Sequence, residues 1–189
     1  MENKRFRPEH MERLDSPERR KALPPEALLG TLAIGSRDDL LDIGAGTGYF
    51  CIPAARMTQG RVYALDVAPQ MLAELETRVQ QAELGNVTFV QGVAEQIPLD
   101  DHVVDHVIAS FVLHETDPLA TALAEIHRVL RPGGQCLCVE WEKTPSESGP
   151  PLHHRLHSTD LADSLERAGF TISSVQHPTT QHYVIVAQA

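Results

Sequence analysis

Apolar residues along this chain fall into two alternating rhythms. Five short runs have the length and composition of buried strands: Leu40-Leu41-Asp42-Ile43, Arg61 to Asp66, Val87 to Gln91, Val103 to Ala109 and Gln135 to Glu140. Between them, apolar positions recur every three or four residues, the period of one helix face. Leu72, Leu75, Val79 and Ala82 follow the second run, and Leu119, Leu123, Ile126 and Leu130 follow the fourth. Ala68-Pro69 and Pro118 open these helices, while Gly85-Asn86 and Arg131-Pro132-Gly133-Gly134 close them. Cys51 to Met57 is a further helix-competent stretch. Strands alternating with helices in this way predict a parallel sheet covered on both faces.

Both ends of the chain depart from that alternation. Met1 to Leu14 is polar, and Ser16-Pro17-Glu18 is a helix start with a capping hydroxyl and a first-turn proline. Pro24-Pro25 interrupts that helix, and a second runs from Pro25 to about Ile34, ended by Gly35-Ser36. Near the other end, Lys143 to Pro151 is a Pro/Ser/Gly-rich loop and Thr159 to Ala168 is a helix with Ser158 as candidate cap. Phe170 to Val175 and Tyr183 to Ala187 are two strands joined by a turn near Pro178. No repeat or linker divides the 189 residues. They suit one domain, read as an N-terminal helical segment (1–35) and an α/β body (36–189).

Charge narrows the partners. Sixteen basic against 26 acidic residues give a formal charge of -10, which argues against a nucleic-acid backbone as ligand. The basic cluster Lys4, Arg5, Arg7, Arg13, Arg19, Arg20 and Lys21 is interleaved with acids and reads as a solvated helix face. No apolar run reaches membrane-spanning length, and the charged start does not resemble a signal peptide. Cys136 and Cys138 share one face of a strand and Cys51 sits in a helix, so all three read as small buried hydrophobes of a reducing compartment, the cytoplasm by default.

The chemistry concentrates at strand ends, beyond which open α/β sheets bind their ligands. The first strand runs into Asp42-Ile43-Gly44-Ala45-Gly46-Thr47-Gly48. Glycines there let a ligand approach the backbone, and the following helix start aims unpaired N–H groups at it. A dinucleotide fingerprint would be spaced G-x-G-x-x-G. Here the spacing is G-x-G-x-G, preceded by an acid that repels a pyrophosphate but suits an ammonium and a sulfonium. The second strand ends in Asp66, a carboxylate able to accept two hydrogen bonds from a ribose diol, or simply a helix-start acid.

These pieces resemble the class I S-adenosylmethionine (SAM) methyltransferases. From Asp38 to Trp141 the chain is similar to their small ubiquinone/menaquinone-biosynthesis type, through LLDIGAGTGYF, VYALDVAPQML, VTFVQGVAEQIPL and EIHRVLRPGGQCLCVEW. The resemblance implies a Rossmann-like, seven-stranded, mostly parallel sheet with helices on both faces and an antiparallel last strand. It implies SAM as cofactor, S-adenosylhomocysteine as product, and a small-molecule methyl acceptor as partner. It places Asp42, Gly44, Ala45, Gly46, Thr47, Gly48, Val67 and Met71 around the cofactor, Asp66 at its ribose, and Val93, Ala94 and Glu95 at the adenine. Val93 stands where the family often has an acid, so either the Ala94 backbone and Glu95 take over that contact or one hydrogen bond is missing. Ser110 and Phe111 would line the transferable methyl, and the N-terminal segment would pack over the cofactor as a lid or simply fill a gap beside the sheet.

His114 is the one titratable side chain in that loop suited to accept a proton near neutral pH, set against a purely structural role. Since methyl transfer needs a base only when the nucleophile must lose a proton, the family has no universal catalytic residue. His153, His154 and His157 invite a metal, but no Cys or spaced acid completes a ligand set. An arsenite acceptor would call for several exposed thiols. Two rival functions stay open: a binding module that holds SAM or its product without turnover, and a nicotinamide-dependent oxidoreductase. Self-association as a homodimer is also left open.

Overall fold

The structure, a computed structural model, describes residues 16–146 and 148–189. The polar stretch Met1 to Leu14, with four of the clustered basic residues, lies outside them. A seven-stranded sheet organises the molecule in the order β3-β2-β1-β4-β5-β7-β6. Its strands are β1 (Leu40–Ile43), β2 (Val62–Asp66), β3 (Val87–Gln91), β4 (Val104–Ser110), β5 (Leu130–Trp141), β6 (Thr171–Thr179) and β7 (His182–Gln188). The first five pair in parallel, and β7 runs antiparallel between β5 and β6. The parallel part is the one the pattern implies, and the seven strands with an antiparallel last one are those the resemblance implies. After β3 the chain returns across the sheet to place β4 on the other side of β1, so the carboxyl ends of β1 and β4 flank the crevice where direction of winding reverses.

Each face of the sheet carries its own core. On one side α3 (Cys51–Met57) and α4 (Pro69–Gln81) press Ala54, Leu75 and Val79 onto Leu40, Val62 and Ile108. Leu23 and Leu29 of the N-terminal segment, next to α1 (Pro17–Ala22) and α2 (Pro25–Leu29), join this cluster. On the other side α5 (Leu119–Val129) and α6 (Ser158–Arg167) press Leu123, Ile126, Leu161 and Leu165 onto Leu41, Val107 and Cys136. Every residue of β1 is buried, which is why its sequence is a continuous apolar run broken only by Asp42.

Several boundaries differ from the sequence pattern. α4 buries Met71, Leu75 and Val79, while Leu72 is only half-buried. α5 stops at Val129 after burying Ala122, Leu123 and Ile126, and Leu130 already belongs to β5. Arg131-Pro132-Gly133-Gly134 is therefore not a turn but an irregular strand start. Leu130 pairs with Val104, the register slips, and Gln135 then pairs with His106. α2 is shorter than expected, ending at Leu29. The cap of α6 is His157, whose side chain accepts from the Thr159 N–H, rather than Ser158. The β6–β7 turn is Thr180-Gln181, and Pro178 sits inside β6. That strand is at the sheet's edge, where a missing N–H is tolerated. No helix among the described residues is long and apolar enough to cross a membrane.

Candidate active site

A cavity of about 1130 Å³ opens at the carboxyl ends of the parallel strands. Its inner wall is the loop Asp42 to Thr47 with Asp66, Val67 and Met71; Val93, Ala94 and Glu95 close one side, and Ser110, Phe111 and His114 the other. Thus every residue that the sequence placed at the cofactor, and His114 with them, lines one space, with a single exception. Gly48 lies outside the lining. Its φ is +96°, and a Cβ there would sit 2.5 Å from Leu75 Cδ1, so this glycine seats α4 against the loop. Gly44, at φ +67°, does face the cavity, and a Cβ on it would press to 3.1 Å from Val112.

Two buried acids define the inner end. Asp42 is 2% exposed, and its carboxyl is pushed up to about 8. Burial is the main cause and repulsion from Asp66 adds to it, against the Cys51 N–H and the Arg19 cation. Asp66 ties the loop to the start of α4, accepting from Gly46 N and Ala68 N at 2.9 Å each. Burial raises its titration too, although the N–H groups of Ala68, Gly46 and Val67 oppose that. Glu95 accepts from Asp117 N at 3.0 Å, so this acid also braces the loop before α5.

The outer end is aromatic. Phe111 takes a left-handed backbone (φ +56°), uncommon for a bulky residue and concentrated at functional sites. Its ring centroid lies 5.7 Å from Trp141 and 5.6 Å from His182. Arg19 of α1 lays its guanidinium 3.9 Å from the Tyr49 ring centroid and 5.1 Å from that of Phe111. It also donates to Ser110 Oγ at 3.5 Å. Arg19 therefore belongs to the cavity wall and not to a solvated helix face, the reading its interleaved neighbours suggested. Burial, with the cations Arg19 and Arg155 nearby, pushes His182 down to about 4, so it is neutral at physiological pH.

Trp141, His182 and Arg19 were not foreseen as site residues, and neither was Glu140. That carboxylate is fully buried and reaches His114 Nδ1 at 2.8 Å. A signal did exist in the sequence. Cys136, Cys138 and Glu140 alternate onto one face of a strand, and an acid in such company needs a hydrogen-bond partner. The three histidines near α6 do not converge: His153 and His154 meet edge to face with ring centroids 4.2 Å apart, and His157 caps the helix. Among the described residues no group of three or more His, Cys, Asp or Glu could hold a metal ion. All three cysteines are buried and free.

Residues 41–138, just over half the chain, match the family model described as a methyltransferase domain. An uncharacterized methyltransferase of Synechocystis is 34% identical over 76% of this chain and 72% of its own length. The chain belongs to the class I SAM-dependent methyltransferases. A crystal structure of a SAM-dependent methyltransferase from Aquifex aeolicus superposes with a TM-score of 0.90 at 27% identity, covering 97% of this chain and 99% of that one. The demethylmenaquinone methyltransferase of Geobacillus kaustophilus is 38% identical over 53% of this chain. The match spans only 44% of that relative's length, under half of it.

The residues present fit the cofactor of this methyltransferase family. A glycine cradle that a Cβ at Gly44 would crowd lies between two buried carboxylates, one of which raises the other's pKa. Such a pair favours a cationic occupant over a diphosphate.

Proposed function

We propose that this methyltransferase moves a methyl group from SAM to a small acceptor seated in the outer, aromatic part of the same cavity. The observation that carries this reading is the pairing of Asp42 and Asp66 at adjacent strand tips around the glycine loop. When bound, the cofactor supplies a methyl carbon already activated by its sulfonium. Asp66 would hold the ribose diol, and Val67 and Met71 its faces. Val93, Ala94 and Glu95 would border the adenine, with Glu95 also accepting from Asp117 N. Gly44 to Thr47, Asp42 and Ser110 would surround the methionine end. Alignment and exclusion of water are then the protein's main contribution.

The described part of the N-terminal segment, residues 16–35, would act as the lid over the body 36–189. In their described part, Tyr49 Oη donates to Leu23 O at 2.8 Å and Arg19 covers the Tyr49 ring, so α1 closes one side of the cavity. Phe111, Trp141 and Tyr49 favour an acceptor with an apolar ring, and the Geobacillus relative is named for a demethylmenaquinone. The buried free thiols suit a reducing, cytoplasmic setting. Incubation with methyl-labelled SAM and a panel of ring hydroxyls, quinols and amines tests the reading. Label should pass to at least one acceptor. Tight cofactor binding with no transfer to any of them would make the protein a binding module instead.

A further inference from the structure

Nothing in the cofactor's cradle requires Glu140, yet this carboxylate is fully buried at the end of β5, and burying one without function is expensive. Its surroundings are specific. Oε1 accepts from Leu113 N at 2.9 Å and His114 N at 3.3 Å, and Oε2 lies 3.3 Å from Trp141 N and 2.8 Å from His114 Nδ1. A carboxylate surrounded by donors forces the remaining partner to donate as well. The hydrogen of neutral His114 therefore sits on Nδ1, and Nε2 keeps its lone pair. His114 lines the same cavity as the glycine loop.

We propose that Glu140 is a positioning residue that fixes His114 as proton acceptor for the methyl acceptor, so that the site serves substrates whose reacting atom carries a removable proton. Hydroxyl, enol and N–H groups qualify; thioethers and tertiary amines do not. The proposal rests on the methyl-transfer reading above. In the step, the acceptor exchanges one proton for one methyl group. The proton passes to Nε2 of His114 and then to water, and the electron pair of the broken C–S bond stays on sulfur. Glu140 stabilises the imidazolium formed in between.

The charges around the ring agree. Burial opposes the imidazolium, but Glu140 from β5, by charge and hydrogen bond, together with Glu115 beside Nε2 at 4.0 Å, outweighs burial and the cation of Arg155. His114 therefore titrates above the ordinary histidine range. Below that titration the ring is protonated and accepts nothing, so transfer should rise with pH through it.

Two measurements decide the matter. Long-range ¹H–¹⁵N spectra of histidine-labelled protein, free and with S-adenosylhomocysteine, should show neutral His114 as the Nδ1–H form. In Glu140→Gln the side-chain amide keeps an oxygen for the Leu113 and His114 N–H groups and donates to Nδ1. The neutral ring should then switch to Nε2–H, and its titration should fall by about one pH unit. With an acceptor from the labelled panel, the acid limb of kcat/KM should follow the His114 midpoint in the native protein; in the variant, whose Nε2 carries the hydrogen, kcat should fall about a hundredfold and that limb should be lost. Product affinity should stay within about threefold, because Glu140 does not border the cradle. A native Nε2–H form, or an acid limb that ignores the His114 midpoint, overturns the proposal. If the variant does not fold, the native tautomer and the match between limb and midpoint still decide it. Failure of SAM and its product to bind the native protein would instead sink the methyl-transfer reading, leaving the tautomer to be judged on the free protein.

Discussion

Asp42 and Asp66 set the chemistry of the cradle, and their burial has opposite consequences for stability and for binding. The Asp42 carboxyl, held at about 8, keeps in the folded protein a proton that the unfolded chain releases near 3.8. The folded state thus binds more protons across that window, and stability of the ligand-free protein should decline as pH rises from 3.8 to about 8. Asp42→Asn removes this slope: melting profiles at pH 8 should place the variant above the native protein, while its SAM affinity drops. For the same reason, SAM binding near neutral pH should expel a proton and tighten as pH rises, a release readable by calorimetry in buffers of different ionisation enthalpy. Asp66→Ala should weaken SAM by about 1.5–3 kcal/mol, the range for hydrogen bonds to a charged group. An unchanged Kd would remove Asp66 from the site. Both acids were legible in the sequence because each ends an apolar run beside a glycine or a helix start. The alternation of β5 marks Glu140 as a buried acid, but not its partner: His114 lies on another strand's loop, and only the folded sheet brings the two within 2.8 Å.

At the scale of elements, the loop between β1 and α3 depends on packing as much as on chemistry. Gly48→Ala would put a Cβ 2.5 Å from Leu75 Cδ1 at φ +96°. A loss of about 1–3 kcal/mol in unfolding free energy is expected, measured by denaturant titration. Tyr49→Phe tests the lid differently. Losing the 2.8 Å bond to Leu23 O should loosen α1 by about 1 kcal/mol, read as faster proteolysis between α1 and α2 with little change in melting temperature. Repeating helical and strand periods made the body readable, but junctions were less so. Arg131-Pro132-Gly133-Gly134 has the composition of a turn, yet Leu130 pairs with Val104 before the register slips, and Gly133 N donates to Ala189 O at 2.9 Å, a partner distant in sequence that only the folded sheet brings near. Pro178 likewise looked like the hairpin turn and is instead tolerated inside an edge strand.

In the whole molecule, the return of the chain from β3 across β1 to β4 makes one crevice out of the ends of the five parallel strands. Two hydrophobic clusters hold the sheet rigid on either side of it. The same rigid frame carries acids at one end of the cavity and aromatic rings at the other, so a cationic nucleoside and a ring-bearing acceptor can meet between them. Calorimetric titration of the protein with SAM and, separately, with reduced nicotinamide dinucleotide at pH 6.5 and pH 8.5 tests that arrangement most directly. One SAM per chain should bind, more tightly at the higher pH, with no binding of the dinucleotide. Tighter binding of the dinucleotide, or a SAM affinity indifferent to pH, would contradict a cradle built from Asp42 and Asp66 for a positive charge.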